Sequence, residues 1–232
     1  MARYRNEWKY GCCEGELALL ENRLRGALCL DPHSGSEGRY AIHSLYFDDY
    51  HDSCASENEA GIMHRFKYRI RYYGDALSSL HLERKEKHGQ MCVKHACPLS
   101  MEEYRLLARG DAAALLHETD KPLLKQLCLA MMTRHFAPKI IIDYEWTAYI
   151  EPSTNVRITF DRHISASASV DAFVRGGYLR CPLQEDGRQI LEVKFDDILP
   201  GHIRRLLDAG ALEQISFSKY YLGRKTIGAF SL

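Results

Sequence analysis

The sequence predicts an α+β protein: a closed antiparallel β-barrel of eight strands with helices packed on the outside. Three observations predict it. Charged side chains fall on alternate residues in about eight segments, so each strand has one charged face and one apolar face. An open sheet has no need to hide a charged face, whereas a barrel turns it into the lumen. Between these segments lie stretches with leucines at helical spacing, which can cover the apolar outside.

The alternation is sharpest from Phe66 to Lys94. Lys67, Arg69 and Arg71 lie two apart, opposite Tyr68, Ile70 and Tyr72. The next strand, His81 to Lys87, puts His81, Glu83, Lys85 and Lys87 on one side. Rows of like charge on neighbouring strands cost free energy unless something negative lies between them. A polyanion, most simply a chain of phosphates, answers that need. The alternative for any single strand is a solvated face of an open sheet, and recurrence on several strands argues against it.

Composition narrows the partners. In 232 residues, lysine plus arginine equals aspartate plus glutamate, 31 each, so the chain as a whole is not a basic nucleic-acid binder. An anion site must come from local segregation of charge. No apolar run is long enough to span a bilayer, and the N-terminal Met-Ala-Arg-Tyr-Arg-Asn-Glu has no secretory core. Eight cysteines form no C-x-x-C pair. They read as reduced thiols of a cytoplasmic protein, with Cys12-Cys13 as filler beside a turn. No linker or repeat divides residues 1–232, so a single domain is expected.

In order, Tyr4 to Tyr10 is a strand with Arg5, Glu7 and Lys9 on one face, and Glu14 to Leu28 a helix on Leu17, Leu20, Leu24 and Leu28. Leu30 to Gly38 reads as a loop and Tyr40 to Phe47 as a strand. Asp48, Asp49 and Asp52 follow as a solvated turn, their spacing being wrong for an EF-hand. After the opening strands, Met91 to Cys97 is a further strand carrying Lys94. Ser100 to Glu103 is a capping box that starts a helix; Asp111 to Leu116 and Pro122 to Met132 are two more helical pieces. Lys139 to Ile150 and Asn155 to Asp161 form a hairpin, with Arg157, Thr159 and Asp161 on one face. Residues 165–187 read as a surface excursion. Ile190 to Phe195 is a strand with Glu192 and Lys194 together, Pro200 opens a short helix, and Ser216 to Leu222 is the last strand.

These residues resemble the triphosphate tunnel metalloenzymes (the CYTH-like superfamily) and, within them, the VTC-type polyphosphate polymerase domain. The superfamily's E-x-E-x-K signature appears as Arg5-x-Glu7-x-Lys9, without the first glutamate, as is usual for VTC-like members. Ser44-Leu-Tyr-Phe-Asp48, Tyr68-Arg-Ile-Arg-Tyr-Tyr-Gly74, Leu82-Glu-Arg-Lys85, Lys94, Tyr144, Val156-Arg-Ile-Thr-Phe-Asp161, Leu191-Glu-Val-Lys194 and Phe217-Ser-Lys219 follow in the family's order. The size is similar to that of short, stand-alone bacterial members. The resemblance implies a phosphate grip by Lys9, Arg69, Arg71, Lys85, Lys94, Tyr144, Arg157, Ser218 and Lys219. It implies a divalent metal, Mn²⁺ or Mg²⁺, on Glu192 with help from Glu7 or Glu83. Lys9, Arg69, Arg71, Lys85 and Glu192 would carry catalysis. The implied reaction is transfer of the ATP γ-phosphoryl group to a polyphosphate chain. Hydrolysis of a triphosphate and non-catalytic polyphosphate binding are the alternatives, and nucleic acid is not an expected partner. One departure stands out: where the family usually has arginine two residues after this tyrosine, the chain has Trp146.

Overall fold

Charge alternation translates into a ring of strands. The computed structural model describes residues 4–32, 34, 38–74, 76–184, 187–208 and 212–228. In chain order these form β1 (Arg5–Cys13), α1 (Glu14–Arg25), β2 (Cys29–Leu30), β3 (Tyr40–Asp48), α2 (Ser53–Glu59) and β4 (His64–Tyr73). Then come β5 (Ala76–His88), β6 (Met91–Leu99), α3 (Met101–Arg109), α4 (Ala112–Glu118), α5 (Pro122–Arg134) and β7 (Ala137–Glu151). The rest are β8 (Val156–Ser167), β9 (Cys181–Pro182), β10 (Arg188–Phe195), α6 (Gly201–Leu206), β11 (Glu213–Gln214) and α7 (Lys219–Thr226). Eight strands pair antiparallel in the order β7-β3-β4-β5-β6-β1-β10-β8, and β8 pairs back with β7 to close the ring. The two-residue strands β2, β9 and β11 are appended to β7, β8 and β1. The expected N-terminal residues 1–3 and parts of the 30–38 loop lie outside the described residues.

The apolar faces point outward and are covered. Tyr68, Ile70 and Tyr72 of β4 are buried in one cluster with Leu107, Leu124 and Leu127 of α3 and α5. Leu17, Leu20 and Leu24 of α1 pack in a second cluster with Ile158 and Phe160 of β8 and Leu191 and Val193 of β10. Burying such side chains stabilises the fold by about 1.5–3 kcal/mol each. Helix starts follow local chemistry. Ser100 and Glu103 form the expected capping box of α3. Cys13 does the same for α1, its sulfur accepting from the Glu16 amide while Glu16 accepts from the Cys13 amide. Its role is therefore capping rather than filler. All eight cysteines are unpaired.

Three expectations change. The aspartates after β3 are not a solvated turn. Asp48 and Asp49 are buried, and Asp48 accepts from the amides of Asp49, Cys54 and Ala55, and from the Tyr220 hydroxyl at 2.5 Å. They anchor α2, because a buried carboxylate is tolerated only when its oxygens are satisfied. Residues 165–187 are not wholly a surface excursion: 165–167 extend β8, and Phe173 is fully buried against Tyr72. The last segment is a helix, not a strand. Its Phe and Tyr residues favour strands, but Ser218 caps the helix by accepting from the Tyr221 amide, and Tyr220, Gly223 and Arg224 form its buried face.

Helix α7 also departs from the outside position expected of the helices. A Cβ on Gly223 would lie 2.6 Å from Ile142 Cδ1 and 2.9 Å from Ile140 Cδ1, so any larger residue would have to push these side chains aside. Ile140 and Ile142 alternate onto the face of Tyr144, which lines the central cavity. Helix α7 therefore lies against the inner side of β7 and brings its N-terminus to the cavity.

Candidate functional site

The ring encloses a cavity of about 1480 Å³. Among the described residues, thirteen lysines and arginines line it against four carboxylates, Glu7, Asp31, Asp161 and Glu192. The segregation of charge that a neutral chain required is thus concentrated here. Strand alternation delivers Lys67, Arg69 and Arg71 from β4, Lys85 and Lys87 from β5, Lys94 from β6, and Glu7 and Lys9 from β1. Tyr144 and Trp146 come from β7, Arg157 and Asp161 from β8, and Glu192 from β10. Ser218 and Lys219 arrive from the start of α7. Every residue expected to grip phosphate lines this one cavity.

Most of these cations are already balanced. Lys85 Nζ donates to both oxygens of Glu7, at 2.6 and 2.7 Å. Lys9 Nζ stands between two carboxylates, 3.4 Å from Glu7 and 3.5 Å from Glu192, and donates to the Phe217 carbonyl at 2.8 Å. Lys194 also pairs with Glu192, Lys219 with Asp161, and Arg157 with Asp31. Burial works against ionisation of Glu7, but Lys85, Lys9 and Lys194 outweigh it and hold the carboxyl well below its ordinary value. At Glu192 burial and the neighbouring Glu7 act against ionisation, and Lys194, Lys9 and Lys85 win again. Both carboxylates are therefore ionised at neutral pH.

Glu83 is placed differently from Glu7 and Glu192. It does not line the cavity; it lies behind it, 1% exposed. Arg69 donates to it through Nε and pairs through Nη2, both at 2.7 Å, while Lys94 donates at 2.7 Å and Arg71 stands 3.8 Å away. Burial disfavours its charge, but Arg69, Arg71 and Lys94 hold its carboxyl well below the usual range. Glu83 thus fixes the forks of the two arginines. Arg69 further donates to the Tyr46 hydroxyl, and Arg71 to Ser44 Oγ and the Tyr144 hydroxyl, so both guanidinium groups are held rigidly.

Among the described residues no group of three or more His, Cys, Asp and Glu side chains is gathered as for a metal ion. Glu7 and Glu192 remain as two ionised oxygen donors beside one shared lysine. Mg²⁺ and Mn²⁺ are commonly held by one or two carboxylates, with substrate phosphates and water completing the shell. Glu7 and Glu192 line the cavity and can offer oxygens to such an ion there; Glu83 does not line it.

A family profile, the VTC domain, matches residues 4–227. The chain belongs to the VTC domain family. No curated protein matches it. Among solved structures, this VTC domain is similar to a candidate adenylyl cyclase from Hippeastrum described as revealing a dominant triphosphatase activity. The two share 14% identity at a TM-score of 0.56, over 97% of this chain and 96% of that one. It is also similar to a candidate adenylate cyclase from Bacillus halodurans, with 12% identity, a TM-score of 0.51, and 94% and 95% coverage. At such identity these likenesses establish the fold.

Trp146 of this VTC domain lies inward, as alternation from Tyr144 requires, and the Arg157 guanidinium stacks 4.4 Å from its ring centre. Tyr40 packs edge-on against the same indole at 5.3 Å. Sequence reading missed two partners. Asp161 shares a face with Arg157, which was a usable signal. Asp31 comes from an irregular loop, where no periodicity could point to it.

Proposed function

We propose that this VTC domain binds a linear triphosphate or polyphosphate inside the ring and transfers the γ-phosphoryl group of ATP to a polyphosphate chain, using a divalent metal. The observation that carries the reading is the pair of ionised carboxylates, Glu7 and Glu192, flanking Lys9 in a cavity whose charged lining is mostly cationic. Phosphoryl transfer needs positioning and charge neutralisation more than covalent chemistry. Arg69 and Arg71, pre-aimed by Glu83, offer guanidinium forks, which suit phosphate oxygens. Lys9, Lys85, Lys94, Arg157 and Lys219 neutralise the chain, and Tyr144 and Ser218 orient it. Fixed dipoles and charges need no reorganisation as the transition state forms. Mg²⁺ or Mn²⁺ held by Glu192 and Glu7 would draw charge from the terminal phosphate oxygens.

A second reading makes water the acceptor, so that the product is free phosphate. Trp146 favours it, because an uncharged indole replaces a cation that the polymerase-type members usually have along the phosphate path. The activity described for the Hippeastrum relative points the same way. Incubating the pure protein with γ-labelled ATP and Mn²⁺ separates the readings. Long labelled polymer supports transfer, labelled orthophosphate supports hydrolysis, and retention of intact ATP leaves a binding module.

A further inference from the structure

The two ends of the cavity differ in kind. Along β4 the inward residues run Arg65, Lys67, Arg69, Arg71 and then Tyr73, where the row of cations gives way to an aromatic side chain. Nearby, Tyr40 of β3 pairs in register with Trp146 of β7, and Arg71 pairs with His81 of β5. Tyr40, Tyr73, His81 and Trp146 all line the cavity, and all four are half-buried. By contrast Tyr46 and Tyr144, which donate to or accept from the central arginines, are buried.

Tyr40 stands edge-on to both of its aromatic neighbours, 5.8 Å from Tyr73 at 65° and 5.3 Å from Trp146 at 89°. Among the described residues, neither Tyr73 nor Trp146 is stacked parallel on another aromatic ring. Charge is also weaker here. Arg39 is exposed, and Arg157, which sits on the Trp146 indole, is paired with Asp31. His81 Nδ1 lies 3.1 Å from the Ser79 carbonyl oxygen. A carbonyl only accepts, so the proton of the neutral imidazole is on Nδ1, and Nε2 is left as an acceptor. Aromatic faces beside a carboxylate suit an uncharged planar group with hydroxyls better than they suit phosphate.

We propose that Tyr40, Tyr73 and Trp146 form a nucleobase subsite, which sets the direction in which a nucleoside triphosphate enters and makes the cavity prefer purines to pyrimidines. The inference rests on the reading of the cavity as a triphosphate site. Tyr73 lies two residues beyond Arg71, about 6.5–7 Å along the strand, so it is the next step after the triphosphate grip. A base stacked there leaves the α-phosphate at Arg71. The γ-phosphate then points along β5 from His81 toward Lys85, which donates to Glu7. The reacting phosphate thus arrives beside the carboxylate pair, and the three aromatic residues bind and position without touching it. Trp146 sets the preference, because an indole has a large face and a bicyclic purine overlaps it more fully than a pyrimidine does. Asp31 and His81 offer acceptors to the sugar hydroxyls.

Titration calorimetry with ATP, CTP and inorganic triphosphate tests it, on wild type, Tyr73→Leu and Trp146→Leu, with a chelator present to prevent turnover. Stacking of a base on an aromatic side chain corresponds to roughly tenfold in affinity. Each variant should weaken ATP by about that factor, weaken CTP less, and leave inorganic triphosphate nearly unchanged. Trp146→Phe should recover part of the loss. A second measurement keeps the subsite intact. The chain has two tryptophans, so in Trp8→Phe the indole fluorescence reports Trp146 alone. ATP should quench it and inorganic triphosphate should not. Equal loss of ATP and triphosphate in variants that still melt cooperatively, or loss of neither, overturns the subsite and leaves the triphosphate site standing. Equal quenching by the two ligands does the same. A wild type that binds neither ATP nor inorganic triphosphate overturns the triphosphate reading itself, and the subsite with it.

Discussion

Behind the middle of the cavity Glu83 sits almost without solvent, ringed by Arg69, Arg71 and Lys94. Two residues along β4 from Arg69, Lys67 is held by an amide and a hydroxyl. Both places bury cations, and they handle the cost differently. The centre carries its own counter-charges, so its arginines are aimed before any ligand arrives. Among the described residues no carboxylate pairs with Arg65, Lys67 or Lys87 at the other end. Cations fixed by a carboxylate and cations without one thus occupy different stretches of the same two strands.

The largest effect should come from the centre. Glu83→Ala leaves Arg69, Arg71 and Lys94 without their shared carboxylate, and breaking such a buried group costs about 3–5 kcal/mol. Thermal unfolding should show a large drop in melting temperature, partly reversed by triphosphate, which binds only the folded state. The wild-type carboxyl is held below its unfolded value of about 4.3, so its stabilisation is present above that pH. It is lost as pH falls through the lower folded value. A Glu83→Ala protein as stable as wild type would mean that the centre is not organised by its carboxylate.

Next is the proposed metal pair, Glu7 and Glu192. Glu192→Gln removes a negative charge and one hard donor while sparing the phosphate grip. Metal-dependent turnover should fall about a hundredfold or more, with triphosphate affinity kept or increased. Equal turnover of mutant and wild type across a Mn²⁺ titration would remove Glu192 from this role.

Trp146 offers a smaller test at the aromatic side of the cavity. Trp146→Arg trades an indole stacked by Arg157 for another cation. Triphosphate should bind up to about tenfold tighter, with a steeper dependence on salt. Unchanged affinity and slope would show that position 146 does not meet the phosphate path.

Much of this was legible in the sequence because β alternation is a local signal. Arg69, Arg71, Lys85 and Glu192 could be assigned to one face from their spacing alone, and they do line one cavity or its wall. Two things were not legible. Helix α7 was read as a strand because Tyr220, Tyr221 and Phe217 favour strands; its helical face is evident only beside Ile140, Ile142 and Ala166, which come from distant sequence. The aspartates of 48–52 looked like a turn for the same reason, since Tyr220 and Arg224 reach them only through the folded chain. Glu83 alternates with Lys85 and seemed a metal donor. That it sits behind the arginines depends on how closely β4 and β5 pack, which spacing cannot report.

The smallest expected effect is the most specific to the cation-only end. Lys67 is faced by Cys54 from α2, Arg65 from its own strand, Lys9 from β1 and Lys85 from β5, with Ser218 and Tyr220 of the α7 segment in contact. An ordinary lysine titrates near 10.4, whereas burial, aided by these cations, brings Lys67 down to about 7 in the folded protein. Between those values the unfolded chain binds the extra proton. This group's contribution to stability therefore rises with pH across that window, and its full cost is present below about 7. Lys67→Met should be stabilised most on the acid side, with the gain fading as the medium becomes alkaline. A bound polyphosphate reverses the shift, because a nearby anion favours the charged amine. At about pH 8, above the free value, binding should draw a proton from the buffer. Calorimetry in two buffers of different ionisation enthalpy reads that uptake directly. Wild type should show it with polyphosphate and Lys67→Met should lose part of it. Equal uptake in both proteins would assign the proton elsewhere and remove Lys67 from contact with the chain.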